Sequence, residues 1–274
     1  MRHFYLLLFL LVTKGVQSQI VRQPLSIRYA GLGAYSLKFS DVFSATSNLA
    51  SLAQLKQASF GIYGERRFLL DELNGYTAIV AAPVKSGTFG LQADYFGSSI
   101  FNESQIGLLY ARKVTDKIDV GIKFNYHSVK TPGYGTAASV NFEGGAIFHL
   151  TDKLHTGIHV YNPTSSKLGK TGNEKLASIY RFGAGYEASD KVFVSAEIVK
   201  QEDRDVNVNA GLQYNIHEKV FIRAGISSAG SNSYAGVGLQ LSFARVDINA
   251  AYHPQLGFTP GLLLLFNLTK RDKQ

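Results

Sequence analysis

The sequence predicts an all-β fold: a transmembrane antiparallel β-barrel of about 14 strands that begins with a short N-terminal plug segment. Three observations carry this prediction. Apolar and polar residues alternate, and the alternating stretches are about ten residues long. Short turns between these stretches alternate with longer connections. A tilted strand needs roughly 9 to 11 residues to cross a bilayer, whereas strands of globular proteins are about half as long.

The N-terminus has the features of a secretory signal peptide. A basic start precedes the apolar run from Phe4 to Val12, and small residues stand where a signal peptidase would cut after Ser18. We expect residues 1–18 to be removed and the mature protein to be exported. Removal of Arg2 and Lys14 lowers the formal net charge from +8 to +6, a balance that suits an anionic lipid surface.

The stretch VNVNAGLQYNIH, residues 206–217, shows the alternation clearly. Its apolar residues, Leu212 among them, share one face, while Asn, Gln and His side chains share the other. Residues 119–128, DVGIKFNYHS, repeat the pattern. We expect the apolar faces to contact outer-membrane lipid and the polar faces to line the lumen. The lumen-facing candidates are Lys123, Asn125, Asn207, Asn209 and Gln213.

Six short turns and seven longer connections join the predicted strands. They require about 14 strands between Ala58 and Thr269, with both chain ends on the short-turn side. Short turns are periplasmic in bacterial outer-membrane barrels, so we expect an outer-membrane location with periplasmic termini. The longer connections include VKTPGYGTA, HPQLGFTP and residues 162–176, the longest. The short turns lie at Lys85-Ser86-Gly87, Thr115-Asp116-Lys117, Thr151-Asp152-Lys153, Ser189-Asp190-Lys191, His217-Glu218-Lys219 and Ala244-Arg245.

Soluble sandwiches and soluble ligand-binding barrels also alternate, but they turn the apolar face inward and cover the other face with charges. Here the polar face is rich in Gly, Asn, Gln and Ser, which favours the membrane barrel. Aromatic residues near strand ends suit the interfacial girdles of such a barrel. The girdle candidates are Tyr126, Tyr161, Tyr214, Phe221 and Tyr252.

Residues 19–57 precede the first strand and do not alternate. The stretch SDVFSATSNLASLAQL predicts a short helix, N-capped by Ser40 or Asp41. Its apolar stripe consists of Val42, Phe43, Leu49, Leu52 and Leu55. The segment is either a periplasmic lead-in or a plug folded into the lumen. We favour the plug because about 14 strands enclose more space than their own side chains fill, and we assign residues 58–274 to the barrel.

The stretch RYAGLGAYSLKFSDVFSATSNLASLA resembles the N-terminal signature of the FadL-like outer-membrane barrels, especially the PorV/PorQ branch of type IX secretion in Bacteroidetes. Arg28, Gly31, Gly33, Asp41, Asn48 and Ala50 hold matching positions, and Leu49 stands where the signature has Pro. The resemblance implies a fourteen-stranded barrel with an N-terminal plug. Together with the apolar stripe, it gives as plug and lumen candidates Arg28, Gly31, Gly33, Asp41, Phe43, Asn48, Leu49 and Leu52.

Two functions fit this architecture. The resemblance and the short predicted loops favour an accessory or interaction component of protein secretion, with other envelope or secretion-system proteins as partners. The alternative is a FadL-like transporter with a hydrophobic small molecule as ligand. The sequence shows no catalytic triad motif, zinc-ligand spacing or dinucleotide loop in its required context, so we expect no enzyme activity, cofactor or metal. No block of five basic residues points to nucleic acid.

Overall fold

The computed structural model of the protein describes residues 27–133, 135–169 and 174–268. The predicted signal peptide and its cleavage site after Ser18 lie outside the described residues, as does Thr269, the predicted end of the last strand. Within the described residues, no helix is long and apolar enough to cross a membrane.

Fourteen strands of the described chain close into one antiparallel barrel, which confirms the predicted fold. Each strand pairs with its neighbours, and β1 pairs with β16 to close the ring, with Ala58 opposite Leu268. Only β8 and β9 stand apart, as a small hairpin in the loop after β7. The strands are β1 (Ala58–Arg66), β2 (Asn74–Val84), β3 (Gly87–Gly97), β4 (Asn102–Thr115), β5 (Ile118–Thr131), β6 (Gly135–His149), β7 (Leu154–Tyr161), β8 (Lys167–Leu168), β9 (Glu174–Lys175), β10 (Ile179–Glu187), β11 (Val192–Gln201), β12 (Asn207–His217), β13 (Val220–Ser227), β14 (Asn232–Gln240), β15 (Ala244–His253) and β16 (Gly257–Leu268).

Six short turns lie at one end of the barrel, and seven connections lie at the other. Five of the six turns lie where they were predicted, whereas Ala244 and Arg245 begin β15 and the sixth turn precedes them. Two of the connections predicted to be long are tight. Strand β5 continues to Thr131 and β6 starts at Gly135, while β15 continues to His253 and β16 starts at Gly257. The strands therefore extend into VKTPGYGTA and HPQLGFTP, because positive-φ glycines at both sites allow close turns.

The two faces of the strands differ in exposure. On β5, Phe124 and Tyr126 are 58% and 55% exposed, whereas Lys123 and Asn125 are buried. The predicted girdle is correct in orientation for Tyr126, Tyr214 and Tyr252, which face outward. It is wrong for two residues. Tyr161 donates a hydrogen bond from its hydroxyl to Gln105 Oε1 at 3.3 Å, and Phe221 is buried beneath two guanidinium groups.

The N-terminal segment is a chain of short helices inside the barrel. The single helix predicted across residues 40–55 is wrong, because Ser47 and Asn48 separate two 3₁₀ helices. Asp41 caps the first of them: its Oδ1 accepts from the Phe43 amide at 2.7 Å. Asn48 caps the second by accepting from the Ala50 amide at 3.1 Å. The helices of this segment are α1 (Ile27–Ala30) and the 3₁₀ helices Leu32–Tyr35, Val42–Thr46 and Leu49–Gln54.

Three further 3₁₀ helices lie in the connections at the end opposite the short turns. They are Arg67–Leu69, Asp71–Leu73 and Ala229–Ser231. We call residues 27–57 the plug. We call the end with the longer connections the outer mouth, after its predicted orientation.

The main apolar core lies between the plug and the wall around the closing strands. Phe43, Leu49 and Leu52 are each 1% exposed and belong to this core. A Cβ at position 61 would lie only 2.3 Å from the Phe43 ring, so Gly61 is what lets that ring approach the strand backbone. The wall contributes Tyr63, Ile79, Ala81, Leu109, Ala111, Leu263 and Leu265.

Candidate functional site

Asp41 of the plug makes ionic contacts with the wall beside the apolar core, since Arg245 is paired with Leu265 of that core. Asp41 Oδ2 lies 2.7 Å from Arg245 Nη1 and 3.6 Å from Arg223 Nη2. Arg223 also donates to the Tyr29 carbonyl at 3.1 Å. Burial acts to raise the pKa of Asp41, but the two guanidinium groups outweigh it and hold the pKa below its ordinary value. Asp41 is therefore the ionic anchor of the plug.

Asn48 fixes the plug against the opposite part of the wall. Its Nδ2 donates to the carbonyls of Ala146 at 3.2 Å and Ile158 at 3.1 Å, which are backbone atoms of β6 and β7. A Cβ on Gly145 would lie 2.4 Å from Asn48 Oδ1, so a larger residue there would displace the amide. These polar contacts lie beside a small apolar cluster in which Tyr35 and Ala50 of the plug pack against Ile147 of β6.

Two histidines connect separate parts of the plug at the short-turn end. His149 Nδ1 and His155 Nδ1 lie 2.9 Å apart, and His149 Nε2 lies 2.8 Å from Asp119 Oδ2. Asp119 accepts from Gln54 Nε2 at 2.6 Å. On the other flank, Glu187 Oε1 lies 3.5 Å from His155 Nε2 and accepts from the Leu37 amide at 2.7 Å. This chain of bonds joins the plug to β5, β6, β7 and β10.

The remaining plug candidates occupy structural positions. Gly31 is buried just before the first 3₁₀ helix, and a Cβ on Gly33 would lie 2.1 Å from the Phe39 carbonyl oxygen. Leu49 and Leu52 lie in the apolar core. Arg28 falls within α1. Their roles in function stay predictions.

Lys123 and Asn125 lie in a buried polar network on β5 and β6. Lys123 Nζ is 2.7 Å from Glu143 Oε1, and Asn125 Nδ2 donates to the same oxygen at 2.8 Å. His159 Nε2 is 3.1 Å from Glu143 Oε2. The charges in this network are paired, as the burial of ions requires. The side chains fill the lumen beside β5 and β6.

The three other lumen-facing candidates lie on β12, beside open space. Asn207 is opposite Val199 of β11, and Asn209 is opposite Glu197. The next inward pair is Ser195 and Gly211. We call these three pairs rungs, counted from the outer mouth. Gln213 is the next inward residue of β12 after Gly211, and its Oε1 accepts a hydrogen bond from Arg223 Nε at 2.7 Å.

A cavity of about 790 Å³ lies at the outer mouth beside the first rung. Phe68, Val206 and Leu256 give it apolar surface, and charged residues from the loop after β11 surround it. His253 packs edge-on against Phe68, with ring centroids 6.0 Å apart. The cavity falls within the size range of small-molecule pockets, roughly 300 to 1,000 Å³.

A cavity of about 30 Å³ lies between the plug and the second rung, enough for about one water molecule. Glu197 Oε1 accepts from Asn209 Nδ2 at 3.2 Å, and Glu197 Oε2 accepts from the Tyr35 hydroxyl at 3.3 Å. Burial, followed by the Glu197 carboxylate, raises the pKa of Tyr35 well above its ordinary value. The Tyr35 hydroxyl therefore keeps the proton that it donates.

A depression of about 750 Å³ lies on the lipid-facing side of the wall at the third rung. Its floor consists of small residues on β12 and β13: Ala210, Gly211, Ala224 and Gly225. Larger apolar side chains surround the floor, namely Val194, Leu212, Ile226, Tyr252 and Phe258. Ser195, Ala210, Gly211 and Tyr234 line both this depression and the 30 Å³ cavity behind it. The wall is thin here.

Tyr234 separates the depression from the inner cavity. Its hydroxyl would lie 2.4 Å from a Cβ on Gly211 and 2.3 Å from one on Gly225, so the ring fills space that both glycines leave. The ring contacts Tyr29 of the plug edge-on at 6.3 Å. Sequence patterns missed Glu197, Gly225 and Tyr234, because their association depends on strand register and on plug contacts from distant parts of the chain.

The fold is shared with solved channels, although no family model and no curated protein matches the sequence. The toluene transporter TodX of Pseudomonas putida is 10% identical, with a TM-score of 0.64 over 91% of this chain and 98% of that one. The CymD monoaromatic hydrocarbon channel is 13% identical, with a TM-score of 0.63 over 90% and 98%. A FadL homologue of Pseudomonas aeruginosa is 11% identical, with a TM-score of 0.63 over 92% and 100%. At these identities the likeness concerns the fold, a closed antiparallel 14-stranded β-barrel that resembles bacterial outer-membrane proteins.

Proposed function

We propose that this protein is an outer-membrane channel for small hydrophobic molecules. The observation that carries the proposal is the succession of three cavities along the rungs of β11 and β12, from the outer mouth to the lipid-facing depression. The likeness in fold to the toluene transporter TodX and the CymD monoaromatic hydrocarbon channel supports this function better than an accessory role in secretion.

A molecule would enter at the outer mouth, where apolar side chains lie beside polar loops. It would pass the second rung as Tyr35 and Tyr234 move aside, and leave through the thin wall at Gly211. Transfer into lipid is favourable, because each Å² of apolar surface removed from water contributes about 25 cal/mol. The channel then needs no energy source, since the membrane interior is the more favourable solvent.

The proposal is tested by blocking the third rung. In Gly211→Leu, the new side chain meets Leu32 Cδ1 and the Tyr234 hydroxyl, each 2.4 Å from an ideal Cβ. The matched control is Gly144→Leu, whose Cβ meets nothing within 4 Å. Short-time uptake of radiolabelled toluene and phenol is measured separately in cells that lack other hydrophobic channels.

We expect the wild type and Gly144→Leu to raise uptake of at least one probe above that of cells without the channel, and Gly211→Leu to abolish the gain. Equal uptake by both variants would show that the path does not cross the wall at Gly211. No gain from the wild type with either probe would contradict the proposed function.

A reporter gives an independent test, because the sequence contains no Trp. Phe258→Trp places a single indole at the edge of the depression, and Phe124→Trp places one on a distant lipid-facing strand. Bromobenzene quenches indole fluorescence on contact. We expect saturable quenching of Trp at 258 at concentrations where quenching at 124 is still linear, since only the first lies in a binding depression.

An accessory role in protein secretion, implied by the PorV/PorQ resemblance, stays a separate prediction. Native extraction followed by pull-down distinguishes the two functions. A stoichiometric envelope protein that remains bound through purification, together with no uptake of either probe, would favour the accessory role.

A further inference from the structure

The narrowest part of the path is polar, whereas both of its ends offer apolar surface. At the second rung Glu197 accepts from Asn209 Nδ2 at 3.2 Å and from the Tyr35 hydroxyl at 3.3 Å. Leu32, Gly211 and Tyr234 are among the other residues that line the 30 Å³ cavity. Any molecule that passes must separate Tyr35 from Glu197, because the cavity holds only about one water.

The free-energy cost of separating Tyr35 from Glu197 depends on the molecule that passes. A pure hydrocarbon leaves Glu197 Oε2 without its donor and the Tyr35 hydroxyl proton without its acceptor. An unmade bond to a buried group slows passage by about tenfold or more. A molecule with an O–H or N–H group donates to Glu197 in place of Tyr35. The carboxylate repels an anion of similar size. Arg181 on the neighbouring strand β10 donates to the Thr46 carbonyl at 3.1 Å.

We infer that Glu197 is a specificity-determining residue and that the channel prefers neutral, single-ring molecules with one hydrogen-bond donor, such as phenols, over hydrocarbons of the same size. This inference rests on the proposed function and defines its substrate class. The ring can pack on the apolar surface at both ends of the path, and the donor can bind Glu197 at the second rung.

Phenol and toluene make a matched pair, because a hydroxyl replaces a methyl group of similar volume. Uptake of each is measured in cells that express the full chain, and the gain over cells without the channel is compared. We expect the wild type to favour phenol over toluene by about tenfold, one hydrogen bond's worth of discrimination. Benzoate should give no gain.

In Glu197→Leu the acceptor is lost, so we expect the preference for phenol to disappear while toluene uptake stays equal or rises. Glu197→Gln keeps one acceptor oxygen and should keep part of the preference. The matched control is Glu218→Leu, an exposed glutamate in a short turn away from the rungs. It should retain the wild-type ratio.

The outcomes separate this inference from the proposed function. Retained toluene uptake in Glu197→Leu shows that the variant folds. A wild type that takes up both probes equally, with an unchanged ratio in Glu197→Leu, would overturn the role of Glu197 and leave the channel function intact. A wild type that takes up neither probe overturns both.

Discussion

The plug contacts the barrel in two different ways on its two sides. Toward β16, β1, β2 and β4 it packs apolar side chains such as Phe43 into a closed core. Toward β6, β7 and β10 to β15 it makes ion pairs and hydrogen bonds through residues such as Asp41 and Asn48. The cavities along the rungs also lie on this polar side. Smaller apolar clusters, such as Phe39 with Phe193 of β11, lie on this side as well. We therefore expect the larger apolar core to be the stronger anchor of the plug.

The largest effect should come from the apolar side. Phe43→Ala leaves a cavity against Gly61, and we expect a loss of about 3–5 kcal/mol in the free energy of unfolding. The matched control is Leu37→Ala in the same segment, where the side chain is 37% exposed and the loss should be small. Urea unfolding in detergent measures both. Similar losses in the two variants would mean that the plug has no fixed anchor.

On the polar side, Asp41→Asn leaves Arg245 and Arg223 without their shared carboxylate. We expect a loss of about 3 kcal/mol, as for removal of one partner from a buried ion pair. The depressed pKa of Asp41 means that its contribution is complete above the ordinary carboxyl range and is lost as the pH falls through the lowered value.

The stability that Asp41 contributes should depend on pH in a defined direction. The difference in stability between wild type and Asp41→Asn should stay constant from neutral pH to about pH 4, the ordinary range of Asp, and shrink only below it. A difference that already shrinks near pH 6 would show that groups other than Asp41 hold the polar side.

The outer face gives a smaller, depth-dependent effect. Leu212→Arg puts a charge at the middle of β12, where we expect a cost of about 2–4 kcal/mol, and Ile216→Arg near the strand end should cost about 0–1 kcal/mol. Gln213→Arg on the inward face of β12 is not a suitable control for Leu212→Arg, because Gln213 accepts a hydrogen bond from Arg223 at 2.7 Å. Refolding into vesicles measures both costs, and equal values would place this strand face outside the lipid.

The smallest effect should come from Lys38 and Asp190, an exposed ion pair between the plug and a short turn. Solvent screens such pairs, so Lys38→Ala should leave unfolding unchanged at physiological salt. A clear, salt-dependent loss would show that the polar side is held at the mouth as well as at Asp41.

Periodicity was sufficient to predict the barrel, its strand number and its end-to-end asymmetry, because each depends on local sequence. It was not sufficient for Phe221 and Tyr161, whose aromatic rings suggested a lipid interface but lie inside, under guanidinium groups or beside Gln105. The contact between Glu197 and Tyr35 could not be predicted from periodicity either. Glu197 and Tyr35 are 162 residues apart, and only closure of the barrel around the plug brings them together.

The closing strands give the plug a part in assembly. The pairing of Ala58 with Leu268 joins the two ends of the barrel sequence, and long-range pairing of this kind is slow, because the chain must lose loop entropy before it gains contacts. Phe43 lies against Gly61 on β1, and its apolar core includes Leu263 and Leu265 on β16. The plug therefore touches both edges that must meet. Its docking and the closure of the ring therefore stabilise each other, and we expect a barrel without the plug to close more slowly.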